Sequence, residues 1–294
     1  MRNSYKAIFA EHAQSPETRQ SLFEPIQKEL DGRALVTLFT SFQYNVALDD
    51  TDADMLQSVL QQNDLSSGLV LMLHTPGGDG LAAERIVNIC KAYSGTGDFW
   101  VLVPGKAKSA GTIIALGASK ILMSTSSELG PVDPQIFRNE NGRTKVFSAH
   151  SLVSGYDKLF AEATSATGPM EPYLLQLSNY DVREINSYRS LINLAEDIAV
   201  KMLAAGAMNG VDTAEIQKRV KIFLDPDAGT LSHGRPIFAA EASGTGLPIE
   251  VLDVKSELWE NIYELYARSE RFVSGRAAKS VESKEDAFYV SSPE

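Results

Sequence analysis

The sequence predicts a layered α/β domain with a parallel sheet, because two kinds of segment alternate in the first half of the chain. Short apolar runs typical of buried strands alternate with segments whose apolar residues recur at helical spacing. The strand-like runs are Ala34–Phe39, Gly68–Leu73, Phe99–Val103 and Lys120–Met123, and the predicted helices between them cover 50–63, 81–94 and 109–118. Strands connected by helices in this way pair in parallel, with helices on the faces of the sheet.

The second half of the chain is predicted to be mainly helical. Its predicted helices cover 151–165, 181–208, 212–220 and 254–272, with one short strand at Ile249–Leu252. We expect three regions, which are an N-terminal arm over 1–30, a main domain over 31–274 with a helical insertion at 151–225, and a flexible C-terminal tail over 275–294. The tail is expected to be mobile because it is polar and charged.

Composition and charge limit the class of protein. The 294 residues include 27 Lys and Arg against 38 Asp and Glu, a formal net charge of −11. This balance disfavours a nucleic-acid partner, which usually requires a basic face, and adsorption to anionic lipid. Cys90 is the only cysteine, so an internal disulfide and a cysteine-rich zinc site are excluded. The histidines are scattered without metal-binding spacing, and we expect neither a metal nor a cofactor.

The expected compartment is the cytoplasm. The first residues lack an apolar signal core, and no run approaches the roughly 18 apolar residues of a membrane-spanning helix. A single cysteine in an apolar, helix-like run also fits a reducing environment. We therefore expect a soluble protein that is not exported.

Two glycine-rich turns follow predicted strands and open predicted helices. They are Thr75-Pro76-Gly77-Gly78 and Lys108-Ser109-Ala110-Gly111-Thr112. Loops at the carboxyl ends of parallel strands are where α/β proteins place their sites, and glycine leaves backbone N–H groups accessible to an oxyanion. Each turn also has a simpler interpretation, a tight connection for the first and an N-cap serine for the second. Neither has the glycine spacing of a nucleotide-binding loop.

A third segment completes a resemblance to a known family. Residues 127–135, Ser-Glu-Leu-Gly-Pro-Val-Asp-Pro-Gln, follow the two turns in an order that resembles the serine dehydrogenase proteinase family. These are Clp-fold serine peptidases related to signal peptide peptidase A and the archaeal stomatin-specific protease. The later pairs Gly234-Arg235, Glu241-Ala242 and Gly246-Leu247 are similar to the closing pattern of the family, and the resemblance covers residues 30–255.

The resemblance implies a fold, a set of site residues and partners. The fold would be a Clp/crotonase-like ββα superhelix, α/β in class, with additional C-terminal helices. Ser109 would be the nucleophile of a serine endopeptidase, the N–H groups of Gly77 and Ala110 would hold the oxyanion, and Gly78 would bind the substrate. The substrate would be a peptide or protein, and the chain would form a homo-oligomer. Because the sequence has no ATPase motif, any unfolding would need a separate unfoldase, and a membrane-protein partner is a further expectation.

The general base is less determined than the nucleophile. The lysine base of a relative aligns without a gap with His150, and imidazole suits a base at neutral pH. Lys158 and Lys145 are alternatives, since a lysine becomes a base when desolvation lowers its pKa.

The other candidate groups are expected to have structural roles. His74 would shape the first turn, His233 would have a structural or subunit-contact role, and His12 would be solvated. Asp133 would either orient a histidine or fix the loop Gly130–Pro134.

Two other functions are compatible with the same fold. A crotonase-type acyl-CoA enzyme shares the oxyanion arrangement but does not use the Ser-Ala-Gly-Thr turn as a nucleophile. A non-catalytic oligomeric scaffold with a degenerate site is the other alternative, because the histidine of Clp peptidases is missing from the region around Val132–Gln135.

Overall fold

A computed structural model of the chain describes residues 6, 8, 11, 15–140, 142–165, 167–225 and 234–292. The helices in this part are α1 Pro16–Gln20, α2 Phe23–Glu29, α3 Asp50–Gln61, α4 Gly80–Tyr93, α5 Ala110–Leu116, α6 Ala149–Ser165, α7 Glu171–Leu177, α8 Val182–Ala204, α9 Thr213–Arg219, α10 Lys221–Leu224, α11 Ala239–Ser243 and α12 Glu257–Val273. The strands are β1 Ala34–Thr40, β2 Leu69–His74, β3 Phe99–Val103, β4 Lys106–Ala107, β5 Lys120–Met123, β6 Glu128–Leu129, β7 Gln135–Glu140, β8 Arg143–Ser148, β9 Ile237–Phe238, β10 Ile249–Val251, β11 Ala277–Glu282 and β12 Ala287–Ser291. The predicted alternation of strands and helices is confirmed.

A seven-stranded sheet forms the centre of the fold. Its strand order is β10-β5-β3-β2-β1-β11-β12, parallel from β10 to β1 and antiparallel at β11 and β12. Strands β1, β2 and β3 are buried along their whole length, which explains their continuous apolar sequences, because a parallel strand covered on both faces has no solvent side. The carboxyl ends of β2 and β3 therefore meet at one edge of the sheet.

Helices cover both faces of this sheet. One face packs against α3, α4, α5 and the second half of α8, through residues such as Leu56, Ile86 and Leu203. The other face packs against α2 and α12, through residues such as Phe23 and Ile262. The two apolar layers fix the sheet from both sides. The loops at its carboxyl edge therefore extend from a firmly packed sheet.

A second, smaller set of strands lies beyond the carboxyl edge. Strand β4 pairs in parallel with β6, and β6 pairs antiparallel with β9. The set is extended by two single-residue pairings, Thr75 with Ala107 and Leu48 with Gly78. A long strand, a short paired segment and a helix thus follow one another twice, as β2, Thr75–Gly78 and α4, and as β3, β4 and α5.

The hairpin β7–β8 and the helices α6, α7 and the first half of α8 form a module with its own small apolar cluster. Ala149, Ile185 and Tyr188 are its buried residues. Large apolar side chains remain exposed around it, including Phe137 at 68% and Leu175 at 72%. No helix in the described part of the chain is long and apolar enough to span a bilayer.

The expectation of a flexible C-terminal tail is wrong for residues 277–291. Strand β11 is buried at every position and extends the central sheet next to β1. Its charged side chains bind buried partners that are distant in the sequence. Such pairs cannot be recognised from the polar sequence of the strand itself. Glu282 forms a bidentate ion pair with Arg19, at 2.7 Å to Nε and 2.5 Å to Nη2, and Arg19 also lies 4.0 Å from the ring centre of Phe272.

The described part of the predicted N-terminal arm is also packed into the domain. Helices α1 and α2 place Arg19, Phe23 and Ile26 in fully buried positions. Because Arg19 binds Glu282 of β11, the two ends of the described chain stabilise each other.

We predict that Arg19→Met lowers the free energy of unfolding by about 3–5 kcal/mol, because Glu282 is left as a buried, unpaired carboxylate. Urea unfolding at neutral pH measures this change. Lys284→Met is the control, since Lys284 contacts Glu24 at 3.4 Å on the surface, and it should change the free energy by less than about 0.5 kcal/mol. Equal effects of the two variants would contradict the prediction.

Candidate active site

The two glycine-rich turns lie side by side at the carboxyl edge of the sheet. The first leaves β2 and the second leaves β3 through β4. The Thr75 N–H donates to the Lys106 carbonyl and the Lys108 N–H donates to the Thr75 carbonyl, both at 3.0 Å. This parallel pairing fixes the first turn against the segment that leads to Ser109.

Ser109 has a backbone conformation that is rare for a residue with a side chain. Its φ is 49° and its ψ is −112°, and among the described non-glycine residues only Asp31 also has a positive φ. Such a conformation costs on the order of 1–3 kcal/mol and clusters at functional sites. Ser109 occupies the N-cap position of α5, but its hydroxyl makes no capping hydrogen bond. The simpler interpretation as a capping serine is therefore not what the structure shows.

Gly77 lies directly against the serine. A Cβ atom at Gly77 would be 2.7 Å from the Lys108 carbonyl oxygen and from Ser109 Cβ, and 3.2 Å from the Ala110 nitrogen. Its φ of 103° also favours glycine. The Ala110 N–H makes no hydrogen bond within the described part of the chain, whereas the Gly77 N–H donates to the Thr75 hydroxyl at 3.1 Å. Gly77 and Ala110 thus both lie next to Ser109.

Gly78 is exposed and is paired on one side only. The Leu48 N–H donates to the Gly77 carbonyl and the Asp79 N–H donates to the Leu48 carbonyl, both at 2.8 Å. Because successive residues of an extended strand direct their polar groups to opposite sides, those of Gly78 point away from Leu48. They have no hydrogen-bond partner among the residues the structure describes.

The Thr112 hydroxyl connects the serine turn to residues 127–135, the third segment of the sequence resemblance. It lies 3.0 Å from the Ala107 carbonyl and 2.8 Å from the Gly130 carbonyl, and it accepts the Gly130 N–H at 3.1 Å. The Lys108 ammonium adds an ion pair of 2.8 Å with Glu128. These contacts hold the start of the Gly130–Pro134 loop beside Ser109.

His150 lies at the far end of this loop, in the first turn of α6. The Ala149 N–H donates to the Pro134 carbonyl at 2.9 Å. The half-buried imidazole lines a groove of about 590 Å³ formed with Glu196, Gln217, Lys218, Lys221, Leu224 and Asp225. No described hydrogen bond joins His150 to Ser109. The alternative bases Lys145 and Lys158 are both exposed.

Asp133 is fully buried and fixes the loop and the start of α6. Its carboxylate accepts the Ser148 hydroxyl at 3.0 Å and the Gln135 amide at 2.9 Å. The Ser148 oxygen in turn accepts the Ser151 N–H at 3.1 Å. These contacts match the expected loop-fixing role of Asp133.

His74 is a buried neutral residue at the base of the first turn. Its Nδ1 accepts the Lys106 N–H at 3.2 Å, and its ring contacts Phe39, Phe42 and Tyr266 with centroid distances of 5.4, 4.8 and 5.1 Å. Burial lowers the pKa of His74 to about 3, and the Lys106 charge adds to this effect. The role expected from the sequence, shaping the turn, agrees with these contacts.

The other histidines expected to be structural, His12 and His233, lie outside the described residues. Within the described part, no group of three or more His, Cys, Asp and Glu side chains is placed to hold a metal ion.

Sequence reasoning did not identify Leu48 or assign a role to Thr112. The capping-box pattern Asp49-x-x-Asp52 after Leu48 is visible in the sequence and could have located the start of α3. Nothing local in the sequence indicates that the preceding residue pairs with the glycine turn, because Leu48 and Gly78 are far apart in the chain.

The chain is similar to one family of known proteins and to two proteins of an archaeon. Residues 41–279 match the family described as ClpP-like SDH-type serine proteinase. Two uncharacterized proteins of Methanocaldococcus jannaschii are similar, one 31% identical over 202 residues and the other 24% identical over 220 residues, or 68% and 75% of this chain. The chain spans 59% and 62% of the lengths of these relatives.

Two solved structures of mutants of the 1510-N membrane-bound stomatin-specific protease are also similar. The first is 21% identical, with 46% of this chain and 66% of that chain covered and a TM-score of 0.30. The second, in complex with a substrate peptide, is 15% identical, with 81% and 98% covered and a TM-score of 0.30.

We predict that Gly77→Ala destabilises the protein more than Gly97→Ala. Both glycines have positive φ, but a Cβ at Gly97 meets nothing within 4 Å, whereas at Gly77 it meets backbone. The conformational cost alone is about 1–2 kcal/mol, and forced overpacking adds about 1–3 kcal/mol. Chemical denaturation of both variants measures the difference, and equal losses would contradict the close approach at Gly77.

We predict that His74 makes stability depend on pH between its ordinary pKa of 6.5 and about 3. In this window the unfolded chain binds a proton that the folded chain does not, so stability falls as pH decreases, by about 1.4 kcal/mol per unit. The free energy of unfolding, measured by urea at several pH values, should show a slope smaller by about one proton in His74→Asn. Identical slopes in both proteins would contradict the buried neutral imidazole.

Proposed function

The chain belongs to the ClpP-like SDH-type serine proteinases, and from this premise we propose that it hydrolyses peptide bonds through Ser109. One observation carries the proposal. Ser109 has a strained backbone conformation, its hydroxyl makes no capping bond, and it lies next to Gly77 and Ala110, whose N–H groups would serve as the oxyanion donors. A nucleophile beside two backbone donors is the arrangement that acyl transfer requires.

In the proposed reaction, Ser109 Oγ attacks the substrate carbonyl carbon while a general base removes the hydroxyl proton. The carbonyl oxygen becomes an oxyanion held by the N–H groups of Gly77 and Ala110. The base then returns the proton to the leaving amine as the C–N bond breaks, which leaves an acyl-enzyme. Water, deprotonated by the same base, hydrolyses the ester and restores Ser109.

The Gly77 N–H would exchange its present acceptor during this step. Its bond to the Thr75 hydroxyl is 3.1 Å long and neutral, whereas a bond to an oxyanion is charge-assisted and stronger. Gly78 would hold the substrate, since its outward polar groups can pair with an extended peptide as an added strand. Both roles use backbone groups, which suits a peptidase that accepts many side chains.

We propose His150 as the general base. The Gly130–Pro134 loop supports this role, because it is bonded to the serine turn through Thr112 at one end and to the His150 helix through Ala149 at the other. Hydrogen bonds to catalytic bases are often long in unliganded sites and shorten when substrate binds. Lys158 and Lys145 remain the alternatives, and both would have to leave their exposed positions.

We also propose that the protein acts in the cytoplasm as a homo-oligomer on peptide or protein substrates. The large apolar side chains exposed on the module around β7–β8 support assembly, since apolar surface left exposed by one chain can be buried between subunits. A separate unfoldase or a membrane-protein partner would supply substrates that this chain does not unfold by itself.

A catalytically degenerate oligomeric scaffold is the second candidate. The separation of His150 from Ser109, with no hydrogen bond between them, is the observation that favours it. The two candidates differ in one property, which is the reactivity of the Ser109 hydroxyl.

We predict that a fluorophosphonate labels wild-type protein at Ser109 and does not label Ser109→Ala. Labelling should be lost in His150→Ala and retained in Lys158→Ala, because only the base activates the hydroxyl. Mass spectrometry of the adduct maps the labelled residue. Labelling that is independent of His150 would exclude this base but keep the peptidase, and a wild-type protein that is never labelled would favour the scaffold.

A further inference from the structure

A buried lysine of β11 binds the start of α3, next to the turn Thr75–Gly78, which we call the oxyanion turn because of the role proposed for Gly77. Lys279 is 7% exposed, and its Nζ lies 2.8 Å from Asp49 Oδ2 and 2.7 Å from Asp52 Oδ2. Asp52 is 1% exposed, and the same oxygen accepts the Asp49 N–H at 2.7 Å. One ammonium group therefore binds both acidic side chains of the capping box.

This cluster is continuous with the residue that holds the turn. Leu48 directly precedes Asp49, and its N–H and carbonyl are bonded to Gly77 and Asp79 at 2.8 Å. The contact has no free space, because a Cβ at Gly78 would lie 2.1 Å from the Leu48 carbonyl oxygen. A displacement of Leu48 must therefore move the Gly77–Gly78 backbone as well.

We propose that Lys279 is a positioning residue for the oxyanion turn. By binding Asp49 and Asp52 it fixes the Leu48 peptide, and through Leu48 it sets the distance between the Gly77 N–H and Ser109. This inference rests on the proposed serine peptidase function. Oxyanion donors act only at hydrogen-bond distance, so a displacement of about 1 Å reduces the rate by about 100-fold.

Strand β11 offers a matched control on its other side. Glu282 is as buried as Asp52, and its ion pair with Arg19 also stabilises β11. That pair packs against α12, where Arg19 lies over Phe272, and its hydrogen bonds given for the described residues do not involve the turn. Glu282→Gln therefore weakens the strand without touching the path from Lys279 to Gly77.

The test compares Lys279→Met/Asp52→Asn, Lys279→Arg and Glu282→Gln with wild type. The double substitution avoids a buried, unpaired carboxylate that could unfold the protein. Fluorophosphonate labelling of Ser109 separates the maximal inactivation rate from the reagent affinity, and amide hydrogen exchange follows the peptide containing residues 74–81. Both measurements are made on the full chain.

We expect the double variant to lose about 10- to 100-fold in the maximal inactivation rate, with reagent affinity unchanged and faster exchange at the turn. Lys279→Arg should recover part of the rate, and Glu282→Gln should keep it despite lower stability. A wild-type rate in the double variant would overturn the inference. An equal loss of rate in Glu282→Gln would also overturn it, because Lys279 would then act only through the overall stability of the protein.

Two further outcomes are separated by this design. If the double variant does not fold, Asp49→Asn weakens the cluster while Lys279 keeps Asp52, and an unchanged rate in that variant also contradicts the inference. If wild type is not labelled, the peptidase proposal fails. Exchange at residues 74–81 then still decides whether Lys279 fixes the turn, and unaltered exchange overturns that link.

Discussion

The close approach of two backbone segments is the constraint on which the site depends. The Thr75 and Ala107 strands pair directly, and side chains are excluded where they continue into the helices. A Cβ at Gly77 would collide with Lys108 and Ser109, and a Cβ at Gly111 would lie 2.5 Å from Thr75 Cγ2. The glycines at these positions are required because a Cβ would collide with the Lys108 carbonyl at Gly77 and with the Thr75 methyl group at Gly111. The resulting close approach brings Gly77 next to Ser109.

The same contact explains how Ser109 keeps its strained conformation. Residues on both sides of Ser109 are held in place, Lys108 by the Thr75 carbonyl and by Glu128, and Gly111 by a 2.8 Å bond to the Lys108 carbonyl. Because these contacts restrain the neighbouring residues, the surrounding structure offsets the conformational free energy that the positive φ of Ser109 costs. The hydroxyl is thereby directed away from the capping role that its position at the start of α5 would otherwise give it.

The sequence predicted the parts of this arrangement that depend on local patterns. Continuous apolar runs identified β1, β2, β3 and β5, the glycine turns marked the carboxyl edge, and the family resemblance selected Ser109 as the candidate nucleophile. Strand β11 was missed because Lys279 and Glu282 make it polar, and their compensating partners, Asp52 and Arg19, are more than two hundred residues away. The short strands β4, β6 and β9 were also missed. Each has only two residues, which is too short to show the alternating hydrophobic pattern of a strand. The role of Leu48 depends on pairing across the chain, which one sequence does not record.

The two halves of the proposed catalytic machinery differ in how extensively they are packed against the rest of the protein. The donors Gly77 and Ala110 belong to segments that are paired with buried strands and packed on the main core. His150 belongs to a helix whose own cluster of buried residues, Ala149, Ile185 and Tyr188 in the described chain, is much smaller. It is linked to the serine turn through the Gly130–Pro134 loop and through α8, which packs against both α6 and α5. Local stability follows buried apolar contacts, so we expect the segments of Gly77 and Ala110 to be locally more stable than the helix of His150. Contacts that order the module, from a substrate or from a second subunit, would therefore act on the distance between base and nucleophile and leave the oxyanion donors in place.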